Sequence, residues 1–101
     1  MIVVSVMYPP SARFDLDYYM KSHIPLVQAR CAGRGLAGAQ VLKGAAGGDG
    51  GAPAQQVIAL LSFASLPEFQ TAMQEHGAEI MGDVANFTDA QPVIQINTPL
   101  D

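Results

Sequence analysis

Asp15, Tyr18, Tyr19 and His23 crowd into one short string, Arg13-Phe-Asp-Leu-Asp-Tyr-Tyr-Met-Lys-Ser-His-Ile-Pro25. An imidazole gains or loses a proton near neutral pH, so His23 is a candidate general base or acid. A carboxylate nearby, Asp15 or Asp17, would fix its tautomer. A phenol, Tyr18 or Tyr19, would donate a hydrogen bond to negative charge developing on a substrate oxygen. Asp15, Tyr19 and His23 recur at i, i+4 and i+8, which places them along one side of a helix. The competing reading makes His23 structural, satisfying carbonyls freed by Pro25 and packing beneath the proline ring.

His76 is the only other histidine. It interrupts an apolar helical stripe, where an imidazole needs a partner to offset its burial. It is either a satisfied core histidine or, together with Asn86, a binder of substrate oxygens. Tyr8, Phe69 and Phe87 are candidates to line an apolar cleft, although ordinary packing explains aromatic residues equally well. His23, His76 and Asp83 would make three metal ligands, but their spacing matches no metal signature, and no metal is expected. Nucleophilic catalysis has little support. No Gly-x-Ser-x-Gly elbow occurs, and Cys31 closes an apolar stripe where an inert small hydrophobe fits best. No dinucleotide fingerprint follows the first strand. The glycine-rich connector 44–52 lacks the Lys-Ser/Thr pair of a phosphate-binding loop. No cofactor is therefore expected.

The elements that must position these residues follow from periodicity. Ile2–Tyr8 is an unbroken β-branched run, read as a central strand ended by Pro9-Pro10. Asp15 caps the next helix, whose apolar stripe is Leu16, Met20, Ile24, Val27 and Cys31. Pro25 predicts a kink near Ser22, and Gly33 and Gly35 end the helix. Gln40–Lys43 is a weak strand and Val57–Phe63 a strong one. Ser65-Leu-Pro-Glu68 reads as a capping box opening a helix with buried Leu66, Phe69, Met73, His76 and Ile80. A loop over Asp83–Gln91 leads to a last strand, Pro92–Asn97. Ser5, Ser62 and Gln95 interrupt apolar strands and need partners, from each other, from water or across a dimer.

The order β-α-β-β-α-β in one domain, 1–101, implies a ferredoxin-like α+β subunit with an antiparallel four-stranded sheet and both helices on one face. Val3, Met7, Leu60 and Ile94 fit either sheet face, because a period of two does not say which face meets the helices. The face left bare, and a charged content of 14% against the usual ~25%, predict a homodimer through the sheet faces. A net charge of -4 with no Lys/Arg cluster argues against nucleic acid and anionic membrane as partners. With no basic segment ahead of its apolar start and no run near ~20 apolar residues, the chain is expected to be cytoplasmic.

Several stretches together resemble the EthD family. They are Met1-Ile-Val-Val-Ser-Val-Met-Tyr-Pro9, Phe14-Asp-Leu-Asp-Tyr-Tyr-Met-Lys-Ser-His-Ile-Pro-Leu26, Ser62-Phe-Ala-Ser-Leu-Pro-Glu-Phe69, Gly82-Asp-Val-Ala-Asn-Phe-Thr-Asp89 and Gln91-Pro-Val-Ile-Gln-Ile-Asn97. The resemblance implies a dimeric α+β barrel, similar in architecture to cofactor-independent antibiotic-biosynthesis monooxygenases and muconolactone isomerases. The family takes its name from an association with ethyl tert-butyl ether degradation. Its pattern falls here on Tyr18, Tyr19, His23 and Pro25, with Asn86 and Phe87 in the late loop. The expected function is a small acid–base enzyme of isomerase, oxygenase or decarboxylase type, acting on a hydrophobic oxygenated ring compound. His23 would transfer the proton, Asp15 orient it, and Tyr18 or Tyr19 stabilise charge. The alternative is a noncatalytic carrier of an apolar metabolite.

Overall fold

A computed structural model describes residues 1–100 of the chain. The elements run β1 (Ile2–Tyr8), α1 (Leu16–Tyr18), a π-helical segment (Tyr19–His23), α2 (Ile24–Cys31), a 3-10 turn (Ala32–Arg34), β2 (Leu36–Lys43), β3 (Val57–Phe63), α3 (Leu66–Gly82), a second 3-10 turn (Val84–Asn86) and β4 (Val93–Asn97). The sheet order is β2-β3-β1-β4, and every neighbouring pair is antiparallel. The weak second strand is longer than its sequence suggests. It starts at Leu36 because antiparallel pairing with β3 supplies the ladder that its small residues do not favour on their own.

Strand alternation settles the two faces. Val4 and Tyr8 of β1 are buried, as are Val57, Ala59, Leu61 and Phe63 of β3, and these meet the helices. Val3, Ser5, Met7, Ile58, Leu60 and Ser62 point the other way and are only half-buried. Ile94 pairs with Val6 on the helix side, yet stays 44% exposed because no helix covers β4. On the bare face Asn97 links two of the polar interruptions, Ser5 and Gln95. Asn97 Nδ2 donates to Ser5 Oγ at 2.7 Å, and Gln95 Nε2 donates to Asn97 Oδ1 at 2.7 Å.

The chain from 16 to 31 is one helical column with a wide turn in its middle. Its buried residues are Tyr19, His23, Val27 and Cys31, with Ile24 beside them. A spacing of four drifts about 40° per step around an ordinary α-helix. The π-helical turn absorbs that drift, and Ile24 N–H donates to Tyr19 C=O, five residues back. The stripe expected from sequence is corrected accordingly: Leu16 and Met20 are exposed, and Tyr19 and His23 take their place in the core. Pro25 is the second residue of α2, in the turn directly after the wide segment, where its missing N–H costs little.

Asp15 caps the column, its Oδ1 accepting from Tyr18 N–H at 3.0 Å. Ser65 caps α3 through Glu68 N–H, but Leu66, expected in the buried stripe, is exposed on the first turn. Gly35 ends the first helical region at φ 86°, a left-handed position where a side chain would also collide with Glu68. The connector 44–52 holds a small turn in which Gly47 N–H donates to Gly51 C=O.

Candidate functional site

Two apolar clusters share the space between helices and sheet. One gathers Val4, Val27, Leu61, Phe63, Phe69 and Ile80; the other gathers Tyr8, Tyr19, Ile24, Val57, Val84 and Phe87. A cavity of about 50 Å³ lies at their seam, about 550 Å³ when its solvent-facing mouth is included. Its walls come from both clusters, and Met73, Met81 and Ile94 form part of them. The mouth opens where α3 leaves β4 uncovered: Met81 and Ile94 are both more than 40% exposed. Tyr8, Tyr19 and His23 bring the only polar side-chain atoms to this lining.

His23 is buried, and its two ring nitrogens have different surroundings. Nδ1 lies 2.9 Å from Asp83 Oδ2. Asp83 Oδ1 accepts from Tyr18 O–H at 2.6 Å and from Asn86 Nδ2 at 2.9 Å. Partial burial pushes the Asp83 carboxyl up, but its hydrogen bonds from Tyr18, Asn86 and His23 outweigh this and hold it below the usual carboxylate range. An ionised carboxylate only accepts hydrogen bonds, so in the neutral imidazole the ring proton sits on Nδ1 and the lone pair on Nε2. No other side chain among the described residues bonds Nε2, and His23 is one of the residues that line the cavity.

Aromatic packing fixes the ring. Phe87 is completely buried, with its centroid 4.7 Å from that of His23. Tyr19 stacks on His23 at 5.6 Å and 18°. Phe14 meets both Tyr19 and Phe87 edge-on, and Tyr8 joins the same group. A strap over residues 9–15 holds this cluster to the loop after α3. Arg13 Nη2 donates to Ala85 C=O at 2.7 Å, Asp15 N–H to Phe87 C=O at 2.7 Å, and Thr88 Oγ1 to Arg13 C=O at 2.7 Å. Burial raises the pKa of Tyr8 to about 12 and that of Tyr19 too, the latter further because Tyr8 adjoins it. Both phenols therefore stay protonated donors at ordinary pH.

The structure rearranges the residues singled out from sequence. Tyr8, Tyr19, His23 and Phe69 line the cavity. Asp15 does not orient His23, because its carboxylate is occupied as a helix cap; Asp83 holds the imidazole instead. Tyr18 and Asn86 stand behind Asp83 rather than in the lining, and Phe87 lies beneath His23. His76 is half-buried outside the cavity, 3.7 Å from Glu75 and beside the Arg30–Glu79 and Arg34–Glu75 pairs that tie α3 to the first helical region. Among the described residues no three His, Cys, Asp or Glu side chains converge as metal ligands, so His23, His76 and Asp83 do not form a shared site. Nothing local in the sequence ties Asp83 to His23, because 60 residues separate them. The one signal was its place in the late-loop stretch that carries the family resemblance.

An EthD-like protein from Ralstonia eutropha JMP134 superposes with a TM-score of 0.90 at 45% sequence identity, covering 99% of this chain and 92% of its own. The chain belongs to the EthD family. A second EthD family protein, from Bacillus halodurans C-125, matches with a TM-score of 0.72 at 16% identity over 99% of both chains. SnoaB, a cofactor-independent oxygenase from Streptomyces nogalater, matches with a TM-score of 0.65 at 13% identity, over 99% of this chain and 92% of its own. That last likeness carries the fold alone: the EthD subunit is ferredoxin-like. No protein-family model and no curated protein matches the chain. No helix among the described residues is long and apolar enough to cross a membrane.

Proposed function

We propose that this EthD protein is a small acid–base enzyme that acts on a hydrophobic, oxygenated ring compound without a cofactor. The observation that carries the reading is His23, held by Asp83 on one nitrogen and lining an apolar cavity with the other free. Nε2 takes a proton from the bound compound, and Asp83 stabilises the imidazolium that forms. Tyr8 or Tyr19 donates to the oxygen on which negative charge develops; their raised pKa values keep them donors throughout. The same imidazolium returns the proton at another atom for an isomerisation. An oxygenase would instead use the carbanion or enolate so formed with dioxygen. SnoaB, described as a cofactor-independent oxygenase, shares the fold and lends support to chemistry of this kind.

The working unit in this reading is a cytoplasmic homodimer joined through the bare sheet faces. A dimeric ferredoxin-like protein from an uncultured marine organism has the same fold. The half-buried apolar side chains Val3, Met7, Ile58 and Leu60 give this chain a reason to pair likewise.

The test is a screen of phenols, lactones and cyclic ketones for product formation, followed by His23→Ala. An acid–base enzyme loses about a hundredfold or more in turnover. Ligand binding with no product from any compound would instead identify a carrier.

A further inference from the structure

No Lys or Arg side chain lines the cavity, and those elsewhere among the described residues are paired or exposed away from it. Among the described residues the bases are Arg13, Lys21, Arg30, Arg34 and Lys43. Arg30 is bound to Glu79 at 2.8 Å and Arg34 to Glu75 at 2.7 Å. Arg13 spends its guanidinium on the backbone carbonyls of Ala85 and Asn86. Lys21 and Lys43 are exposed and do not line the cavity. Helix N-termini offer no substitute, since Asp15 and Ser65 cap them. The one basic side chain in the lining, His23, is backed by the Asp83 carboxylate.

We infer that the cavity selects neutral hydroxyl- or carbonyl-bearing ring compounds and rejects carboxylates of the same shape. This deepens the proposed acid–base function and rests on its assignment of the cavity as the ligand site. A carboxylate entering this space would give up its hydration without meeting a Lys or Arg side chain, and the one imidazole it could face is already paired with the Asp83 carboxylate. A phenol or enol suffers neither cost: its hydroxyl proton is what Nε2 can accept as a hydrogen bond, and its carbonyl or ring oxygen can take a hydrogen bond from Tyr8 or Tyr19. The selection also narrows the chemistry. Removal of a proton from a neutral compound is favoured, and decarboxylation of a free acid is not.

The experiment titrates the wild-type protein at neutral pH with 4-propylphenol, 4-propylbenzoate and methyl 4-propylbenzoate. Affinity and location are read together from the methyl resonances of Met73, Met81 and Ile94. The phenol and the ester are expected to bind at these residues, and the benzoate at least about tenfold more weakly than the ester. The ester isolates charge from size. A benzoate that binds here as tightly as its ester overturns the selection while leaving the cavity as a ligand site. Failure of all three to move these resonances overturns the site assignment itself, and the selection with it.

Discussion

Asp83 accepts from Tyr18, Asn86 and His23, and through those three bonds it sets which nitrogen of the imidazole is free. Asp83→Asn lets the side-chain amide donate to Nδ1 and so favours the opposite tautomer; turnover is expected to fall by on the order of a hundredfold or more. Asp15→Ala, by contrast, should cost about 1 kcal/mol of stability through loss of a helix cap and leave turnover within about twofold. Measuring both variants separates the residue suggested by sequence from the one found in space. Asp83 also makes stability depend on pH. Its pKa is lowered on folding, so its contribution is present above the ordinary carboxyl range and lost as pH falls through the lowered value. Denaturant unfolding across acid pH should show the gap between wild type and Asp83→Asn closing as pH drops. The tyrosines act with the opposite sign. All three, Tyr8, Tyr18 and Tyr19, are raised, so their contribution holds below about pH 10 and disappears as pH climbs toward their folded values. Spectroscopic titration of tyrosinate should show little ionisation at pH ~10 in the folded protein and a rise that coincides with unfolding.

At the scale of elements, the wide turn at Tyr19–His23 decides whether the site exists. The apolar residues Leu16, Met20, Ile24, Val27 and Cys31 follow the mixed three- and four-residue spacing of an ordinary amphipathic stripe, and that reading puts all of them inside. The competing set, Tyr19, His23, Val27 and Cys31, has a period of four and wins because its aromatic members pack against Phe14 and Phe87. Deleting Met20, which is exposed, removes the extra residue and lets the turn relax to α-geometry. Circular dichroism should then show helix content retained while His23 loses its hydrogen bond to Asp83 and its place at the cavity wall. Phe87→Ala empties the floor beneath the imidazole and should destabilise the protein by about 3–5 kcal/mol in chemical unfolding. The strands were legible in sequence because β-branched runs flanked by proline and glycine have one reading. His76 was misplaced for a different reason. Its helical position does fall on the inner face, but periodicity cannot tell the part of that face that borders the cavity from the part beside Glu75.

For the whole molecule, the ferredoxin-like order was readable from the succession of elements and the handedness of their crossovers, whereas the face each strand shows to the helices was not. Register resolves it: Val4 and Tyr8 go inward and Val3, Ser5 and Met7 outward. If the subunits pair through their sheets as proposed, Leu60→Asp on the outward face should leave the subunit folded and make it sediment as a single subunit, because burying that charge against a second sheet is costly. The cavity itself had no signature in the chain, since its walls come from every strand but β2 and from all the longer helical segments. What joins these scales is a tautomer: Nδ1 protonated on Asp83, Nε2 open to the cavity. The most direct measurement is the long-range 15N–1H spectrum of the His23 ring, with and without 4-propylphenol. The Nδ1–H form is expected in the free protein, with a shift of the Nε2 resonance as the phenol saturates. An Nε2–H form, or an Nε2 resonance that stays fixed while the cavity methyl groups respond, would contradict it.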